Sequence, residues 1–366
     1  MDTSIEIGHK AASRFEYLSE KEGPLDQRKT TLADVASQAG VSAATVSRAL
    51  NAPDMVSAEV RARIQKVVEK LGYIPNPAAR ALASARTNVI GVLIPSVTNN
   101  VFADVLRGIY SVINETPMEV QLGNTRYSFL EEENLLKVFV SQRPAGLIIA
   151  GIDQSAASLK LLRQIDCPIV QIMEIGDDPI DMMVGFSHRQ AAYEATAHLI
   201  EQGYRRIAFL GARMDPRTQR RMAGCVEALQ QAGLHDERLI ITTPKPSTVT
   251  LGCQLLSELL SREPEADAVF CNNDDLALGV LFECQRRQIN IPGQFGICGF
   301  NDLEMMGVAN PSVSSVRTFR QEMGEQAVRM LLAAISGNRP AQSKVDIGFQ
   351  LIRRRSTQRL AALAQG

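Results

Sequence analysis

The chain has 366 residues, 45% of them hydrophobic and 22% charged, with 39 Lys plus Arg against 40 Asp plus Glu and a net charge of -1. That length suits two or three domains, and near-neutrality excludes a protein that coats nucleic acid by bulk positive charge, although one basic module offset by acidic ones remains open. The longest apolar stretches, such as Val89 to Pro95 and Ala145 to Ile152, fall far short of the roughly 20 residues needed to span a bilayer, so no membrane partner is expected.

Residues 1–28 hold six acids and four bases, with no sustained periodicity. They lack an apolar core followed by a small-residue cleavage site, so a flexible N-terminal extension and a cytoplasmic location are expected. Residues 29–88 carry eight bases against four acids, which leaves the remainder of the chain mildly acidic. A small basic module therefore precedes a large acidic one.

The segment TTLADVASQAGVSAATVSRALN, from Thr30 to Asn51, reads as two short helices joined by a tight turn. Thr31 can cap the first, with Asp34 at its N3 position, and Leu32, Val35 and Ala36 form its inner stripe. Gly40 suits a left-handed helix end, Val41 plugs the turn, and Ser42 caps a second helix whose Val46 and Leu50 point inward. A third helix after Ser57 shows Val60, Ile64, Val67, Val68 and Leu71 at a 3.6-residue period and stops at Gly72. Two helices joined through a glycine turn make a helix-turn-helix, here completed by the third. Ala43, Ala44, Thr45, Ser47, Arg48 and Asn51 fall off the core stripe of the second helix, on the face that enters the DNA major groove in such motifs. The plainer alternative is a helical hairpin with a solvated face.

Asn76 to Ser84 (NPAARALAS) is short and Ala-rich, with Pro77 where a helix could begin. An isolated helix of that length is marginal in water, because nucleation is costly. From Val89 the pattern changes to short β-branched runs alternating with amphipathic stretches. The runs are Val89 to Pro95, Val120 to Leu122, Gly146 to Gly151, Pro168 to Ile172, Met182 to Phe186, Ile207 to Gly211, Ala268 to Cys271 and Phe295 to Phe300. Between them lie helix-like segments such as Phe102 to Glu115, Arg189 to Gln202, Thr218 to Ala232, Leu276 to Gln288 and Glu322 to Ser336. Alternating strands and helices predict an α/β architecture with parallel, doubly wound sheets, and the length of the pattern favours two lobes sharing a cleft.

Polar residues at the predicted strand ends are the candidates for lining that cleft: Ser96, Asn99, Asn100, Asn124, Glu174, Arg221, Asn273, Asp274, Asn301 and Thr318, with Phe102 beside the first group. An arginine that can fork onto a carboxylate, surrounded by Asn and Asp, suits a sugar acid. The plainer readings are a structural ion pair for Arg221 and helix N-terminal charge compensation for Asp274 and Asp275. Glu131, Glu132 and Glu133 stand at a helix start, where acid is favourable for structural reasons.

Six cysteines lie scattered through the second half with no C-x-x-C pair, and His188 and His198, ten apart, match no helical metal spacing. Neither a metal nor a cofactor is expected. Without a P-loop, H-E-x-x-H or G-x-S-x-G motif, no catalytic residues are assigned and an enzyme is not expected.

The motifs DVASQAGVSAATVSRALN, VVEKLGYIPNPAARALAS, IGVLIPSVTNNVFADVLRGI, GYRRIAFLG, NNDDLALG, PSVSSV and LIRRRST together resemble the lactose and galactose repressor family over nearly all of residues 30–357, most closely its gluconate-responsive members. The resemblance implies a helix-turn-helix headpiece at 29–75, a hinge helix at 76–86, a two-lobed periplasmic-binding-protein-like core at 87–357 and a short tail at 358–366. It implies a transcriptional repressor that binds a palindromic double-stranded operator as a homodimer and is released when a small effector, gluconate or a related sugar acid, enters the cleft. Thr31, Leu32, Ser42, Thr45 and Ser47 would anchor the headpiece to phosphates, and Ala43, Ala44 and Arg48 would face base edges. Two alanines at those positions depart from many members, which carry larger side chains there. Asn76 would be a further DNA contact, Arg80 and Arg86 would add phosphate contacts, and Leu82 matches a leucine that wedges into the minor groove. Arg221, three residues before Gly224, occupies the effector-binding arginine position, and Asn301 stands where many relatives carry Asp. The tail QRLAALAQG is too short for the leucine heptads of tetrameric members, so a dimer is expected. A free sugar-binding protein of the transport type, or a repressor responding to a neutral sugar or another metabolite, is the alternative.

Overall fold

Thr31 begins the first helix as expected: its Oγ1 accepts from Asp34 N at 3.3 Å while Thr31 N donates to Asp34 Oδ2 at 2.8 Å, a complete capping box. The structure, a computed structural model, describes residues 30–74 and 87–359. In the first unit α1 (Leu32–Ala39) ends at Gly40, whose φ of 63° is the left-handed conformation that glycine adopts without steric cost. Ser42 Oγ then accepts from Thr45 N at 3.1 Å and opens α2 (Ala43–Asn51). Helix α3 (Ala58–Leu71) stops at Gly72, again left-handed at φ 58°. Val35, Ala36, Ala39, Val46, Ala49, Ile64 and Tyr73 are buried together, and Thr30 Oγ1 donates to Leu71 O at 3.3 Å to tie the ends of the unit. Leu32 and Leu50 are half-buried at its edge.

The second unit runs through β1 (Val89–Ile94), α4 (Asn100–Ile113), β2 (Glu119–Asn124), α5 (Phe129–Ser141), β3 (Gly146–Ala150), α6 (Ala156–Leu162), β4 (Ile169–Ile172) and β5 (Met182–Gly185). It continues with α7 (His188–Glu201), β6 (Ile207–Ala212), α8 (Pro216–Gln231), β7 (Ile240–Thr243), α9 (Val249–Arg262), β8 (Ala268–Cys271), α10 (Asp274–Arg286), β9 (Gly296–Asn301), α11 (Glu304–Val308) and β10 (Ser314–Thr318). Last come α12 (Arg320–Ile335), β11 (Lys344–Asp346) and β12 (Phe349–Ile352). Two six-stranded sheets result, in the orders β11-β5-β4-β3-β1-β2 and β12-β10-β9-β8-β6-β7. Every pairing is parallel except that of β12 with β10, so the two-lobed, doubly wound reading holds with one antiparallel edge strand. The chain passes between sheets after β5, after β10 and again between β11 and β12.

The predicted helices begin one or two residues late. Asn99, Ser187, Asp215 and Asn273 each cap a helix through a side-chain oxygen, whereas the apolar stripe that carries the sequence signal starts further along. Strands β7, β10, β11 and β12 were not anticipated, because three to five residues interrupted by polar positions give no readable alternation. The terminal motif is clasped to the second sheet: Ser356 Oγ donates to Ile297 O at 2.6 Å, and Thr357 Oγ1 lies 2.8 Å from His198 Nε2. All six cysteines are free thiols. No described helix is long and apolar enough to cross a membrane, and among the described residues no cluster of His, Cys, Asp or Glu could hold a metal ion. The N-terminal extension and the hinge segment, with Asn76, Arg80, Leu82 and Arg86, lie outside the described residues.

Candidate functional site

On the first unit, Ser42, Ala43, Ala44 and Arg48 are exposed along one side of α2, with Thr45 and Ser47 half-buried beside them and Val46 and Ala49 turned into the core. Asn51 closes the helix. Thr31 is exposed at the start of α1, so the capped N-termini of both helices are open to solvent. Such ends present backbone N–H groups to which phosphates bind, while the Arg48 guanidinium can fork onto a guanine. The methyl groups of Ala43 and Ala44 offer a base only apolar contact.

In the second unit the cleft is organised by Arg221 on α8. Gly224, one turn further on, allows α8 to lie against α7: a Cβ there would come within 2.0 Å of Arg189 O. Arg221 is 7% exposed, and its guanidinium carbon sits 3.8 Å from the centre of the Phe300 ring. Its Nη1 donates to Asn272 O, and its Nε donates to His188 Nδ1 at 3.1 Å. That last bond fixes a tautomer. Because Nδ1 accepts, the proton of neutral His188 is on Nε2, which donates to Met173 O at 2.8 Å. Burial, reinforced by Arg221 and Arg217, holds His188 well below the ordinary imidazole range. Burial also pulls Arg221 down to about 10, which leaves it fully charged at neutral pH. Its Nη2 has no hydrogen-bond partner among the described residues.

Arg217, one turn earlier on the same face of α8, is 8% exposed. Its Nη2 lies 3.5 Å from Asp215 Oδ2, while its buried Nη1 has no hydrogen-bond partner among the described residues. Burial works against the charge of Asp215, yet Arg217, the Thr218 amide and Arg221 hold its carboxyl below the usual range. Arg213 stacks on Tyr127 with 4.0 Å from guanidinium carbon to ring centre, and Asn99 Nδ2 donates to Tyr127 Oη at 3.2 Å. The loops here are strained. Arg126 and Tyr127 after β2, Arg213 and Met214 after β6, and Asn301 and Asp302 at the end of β9 are consecutive pairs with φ between 51° and 110°. Non-glycine residues in that region each cost on the order of 1–3 kcal/mol, a cost concentrated where ligands are held.

Of the residues expected in the cleft, Asn99, Phe102, Arg221, Asn273 and Asn301 line its inner cavity, together with Tyr127, Arg213, Asp215, Arg217 and Asn272, which the sequence reading did not single out. Arg217 stands four residues before Arg221 on α8, but the helical segment read from the sequence begins at Thr218 and leaves it out. The inward aim of Tyr127 and Arg213 rests on loop conformation and leaves no periodic signal.

The others serve elsewhere. Asp274, expected to hold ligand hydroxyls, is fully buried with both oxygens occupied: Oδ1 accepts from Ser315 Oγ at 2.6 Å and Oδ2 from Leu303 N at 2.7 Å. Burial pushes its carboxyl up to about 7, and only glycine fits at position 299, where a Cβ would come within 2.4 Å of Oδ1. Thr318 Oγ1 is taken by Arg320 Nη1 at 2.9 Å. Ser96 Oγ pairs with Thr98 Oγ1, Asn124 Oδ1 accepts from Arg126 N, and Asn100 is exposed on α4. Glu174 Oε1 accepts from Ile175 N and His188 N, and burial raises its carboxyl to about 6.

Two arginines join the lobes directly. Arg220 Nη1 and Nη2 donate to the two oxygens of Asp153 at 2.8 and 2.7 Å, across the cleft. Arg320 Nε and Nη2 reach Asp104 Oδ2 at 2.9 and 2.6 Å while its Nη1 binds Asn301 O in the other lobe. Beyond the inner cavity, of about 50 Å³, an outer chamber of about 450 Å³ opens between the loop after β2 and the start of α8.

Comparison with known proteins agrees over both units. A family profile described as "Bacterial regulatory proteins, lacI family" matches residues 31–76, and one described as "Periplasmic binding protein-like domain" matches residues 196–357. The HTH-type transcriptional regulator GntR of Pseudomonas aeruginosa is 40% identical over 329 residues, covering 90% of this chain and 96% of its own. GntR of Escherichia coli is 37% identical over 89% of this chain and 98% of its own. Among solved structures, a LacI-family transcriptional regulator from Silicibacter pomeroyi matches with a TM-score of 0.85 at 34% identity, over 90% of this chain and 100% of that one.

Proposed function

Because the chain belongs to the lacI family of bacterial regulatory proteins, we propose that its cleft is the receptor for a sugar acid of the gluconate class and that filling it releases the protein from its operator. The chain is a DNA-binding transcriptional regulator that acts on double-stranded operator DNA as a homodimer. Two headpieces on a two-fold axis match a palindromic site, whereas one contacts too few phosphates to bind firmly. The role is that of a receptor in the cytoplasm and involves no catalysis.

The observation that carries the sugar-acid reading is the pair of guanidiniums on α8. Arg221 is fixed on three sides by His188, Asn272 and Phe300, and it keeps Nη2 for a ligand. Arg217 Nη1 is buried without a hydrogen-bond partner among the described residues. A buried, unpaired donor on a cation is costly until an anion satisfies it, and a carboxylate can accept from both. Asn99, Asn273 and Asn301 around them supply donors and acceptors for hydroxyl groups.

Both lobes contribute to this cavity, so a ligand that bonds to each favours the closed arrangement already bridged by Arg220 and Asp153. In this proposal closure acts on the operator through residues 76–86, the stretch of chain that leads from the headpiece to the core. Reciprocity then requires operator DNA to weaken effector binding by the same factor. Titration calorimetry with gluconate, ketogluconates and neutral hexoses, alongside gel shifts on the DNA upstream of its own gene, tests the reading. Gluconate is expected to give heat and to release the DNA. No heat with any sugar acid, or equal effector affinity for free and operator-bound protein, overturns it.

A further inference from the structure

The inner cavity, at about 50 Å³, has room for a few waters, well short of the roughly dozen heavy atoms of a six-carbon acid. A ligand whose carboxylate lies on Arg221 and Arg217 must therefore continue outward. Tyr127, Arg213, Asp215 and Arg217 line both the inner cavity and the outer chamber, so the two share a wall beside that anchor. The outer chamber, at about 450 Å³, exceeds what the remaining carbons of a hexonate occupy and falls within the range that holds a complete small ligand.

Its lining suits a hexose ring better than a second anion. Tyr127 and Phe129 line it, and Phe129 is 53% exposed at the start of α5, where its ring is free to stack on a sugar. Between them are acceptors and donors from both lobes: Thr125, Gln154 and Glu132 from one, Arg217 from the other. Two of these are buried with unmet capacity. Glu132 is 9% exposed, with the Ser158 hydroxyl near enough to favour its charge, and its Oε1 lacks a full hydrogen bond among the described residues, as does Arg217 Nη1. Arg217 Nη1 is committed to the carboxylate, so the capacity left for the ring is that of Glu132, an acceptor that suits a hydroxyl and repels a phosphate or second carboxylate.

We propose that the outer chamber is a second subsite of the cleft, which takes a hexose joined glycosidically to the sugar acid held by Arg221, so that the protein responds to aldobionates as well as to simple aldonates. The inference rests on the sugar-acid reading above and adds to it the ring-binding subsite.

The test is titration calorimetry of the full chain with gluconate, lactobionate (a galactosyl gluconate) and lactose, on wild type, Phe129→Ala and Glu132→Gln. Lactobionate is expected to bind at least as tightly as gluconate. Phe129→Ala, at an exposed position, should weaken lactobionate by about tenfold and gluconate by less than about twofold, and Glu132→Gln should act in the same direction. Gluconate binding without lactobionate binding overturns the subsite and leaves the sugar-acid reading standing. Equal losses for both ligands in Phe129→Ala, or lactose binding as tightly as lactobionate, also overturn it. Silence from gluconate and lactobionate alike defeats both the subsite and the reading on which it rests.

Discussion

Arg221 Nε donates to His188 Nδ1 across 3.1 Å, and this bond makes a buried neutral histidine the reference point for the charge at the centre of the cleft. His188 follows β5 of one sheet and leads α7, which packs on α8 of the other lobe. Its Nε2–H is held by Met173 O at the end of β4. The guanidinium is thereby set by groups from both lobes, and its orientation depends on how they are joined.

Replacing the imidazole while keeping its bulk separates positioning from packing. His188→Phe removes the acceptor for Arg221 and should weaken sugar-acid binding by at least about tenfold, since hydrogen bonds to charged groups contribute about 1.5–3 kcal/mol. His188→Asn retains an oxygen near the Nδ1 position and should stay within about threefold of wild type. Calorimetry for the acid and a gel shift without effector read the two quantities separately. Operator affinity is expected to be unchanged in both variants, and wild-type acid affinity in His188→Phe would refute the assignment.

Arg221→Lys keeps the charge but loses the planar fork and the Nε bond. The expected result is a protein that holds its operator normally yet fails to release it at effector concentrations that release wild type, with acid affinity down roughly 10- to 100-fold. A gel shift across an effector titration reads this directly.

On α2, Arg48 is exposed and has no role in the core of the headpiece. Arg48→Ala should cost about 1–3 kcal/mol of specific operator affinity and little affinity for unrelated DNA, measured by competition binding at fixed salt. Equal losses on both DNAs would mark Arg48 as a phosphate contact instead of a base reader.

Asp274 sets a pH dependence whose sign follows from its burial. Its folded-state value of about 7 lies above the ordinary 3.8, so between those values the folded chain keeps a proton that the unfolded chain has released. Its contribution to stability is therefore fully present below about pH 4 and is lost as pH rises through 7, at up to about 1.4 kcal/mol per pH unit. Asn at this position does not titrate and cannot accept from both Ser315 Oγ and Leu303 N. Asp274→Asn should thus be the less stable protein at acid pH, with the gap to wild type narrowing from pH 4 to pH 7 in denaturant melts. A gap that widens over that range would contradict the assignment.

Much of the architecture was readable because it rests on local chemistry repeated over many residues. The helix-turn-helix follows from Thr31, Gly40, Ser42 and Gly72, each of which imposes its own cap or turn, and α3 from the spacing of Val60, Ile64, Val67, Val68 and Leu71. Of the residues read from the sequence for the cleft, Asn99, Asn273 and Asn301 at strand ends and Arg221 on α8 line the inner cavity, whereas Asn100 and Asn124 do not. Asp274 was misplaced for an identifiable reason. It sits at a strand-to-helix junction like Asn273 beside it, and successive residues there point in different directions, one toward the cavity and one into the lobe.

The one-dimensional chain thus determined what depends on residue type and spacing: the basic headpiece, the alternating strands and helices, and the chemistry offered at the ends of strands. Tertiary structure alone decided which of those groups meet. The neutral tautomer of His188 and the stacking of Arg213 on Tyr127 each depend on loops with left-handed φ and on contacts between residues far apart in the chain. Periodicity and capping are local and leave a pattern in sequence. Burial and the direction of a side chain arise from the whole fold, and these set the charge and reach of the cleft.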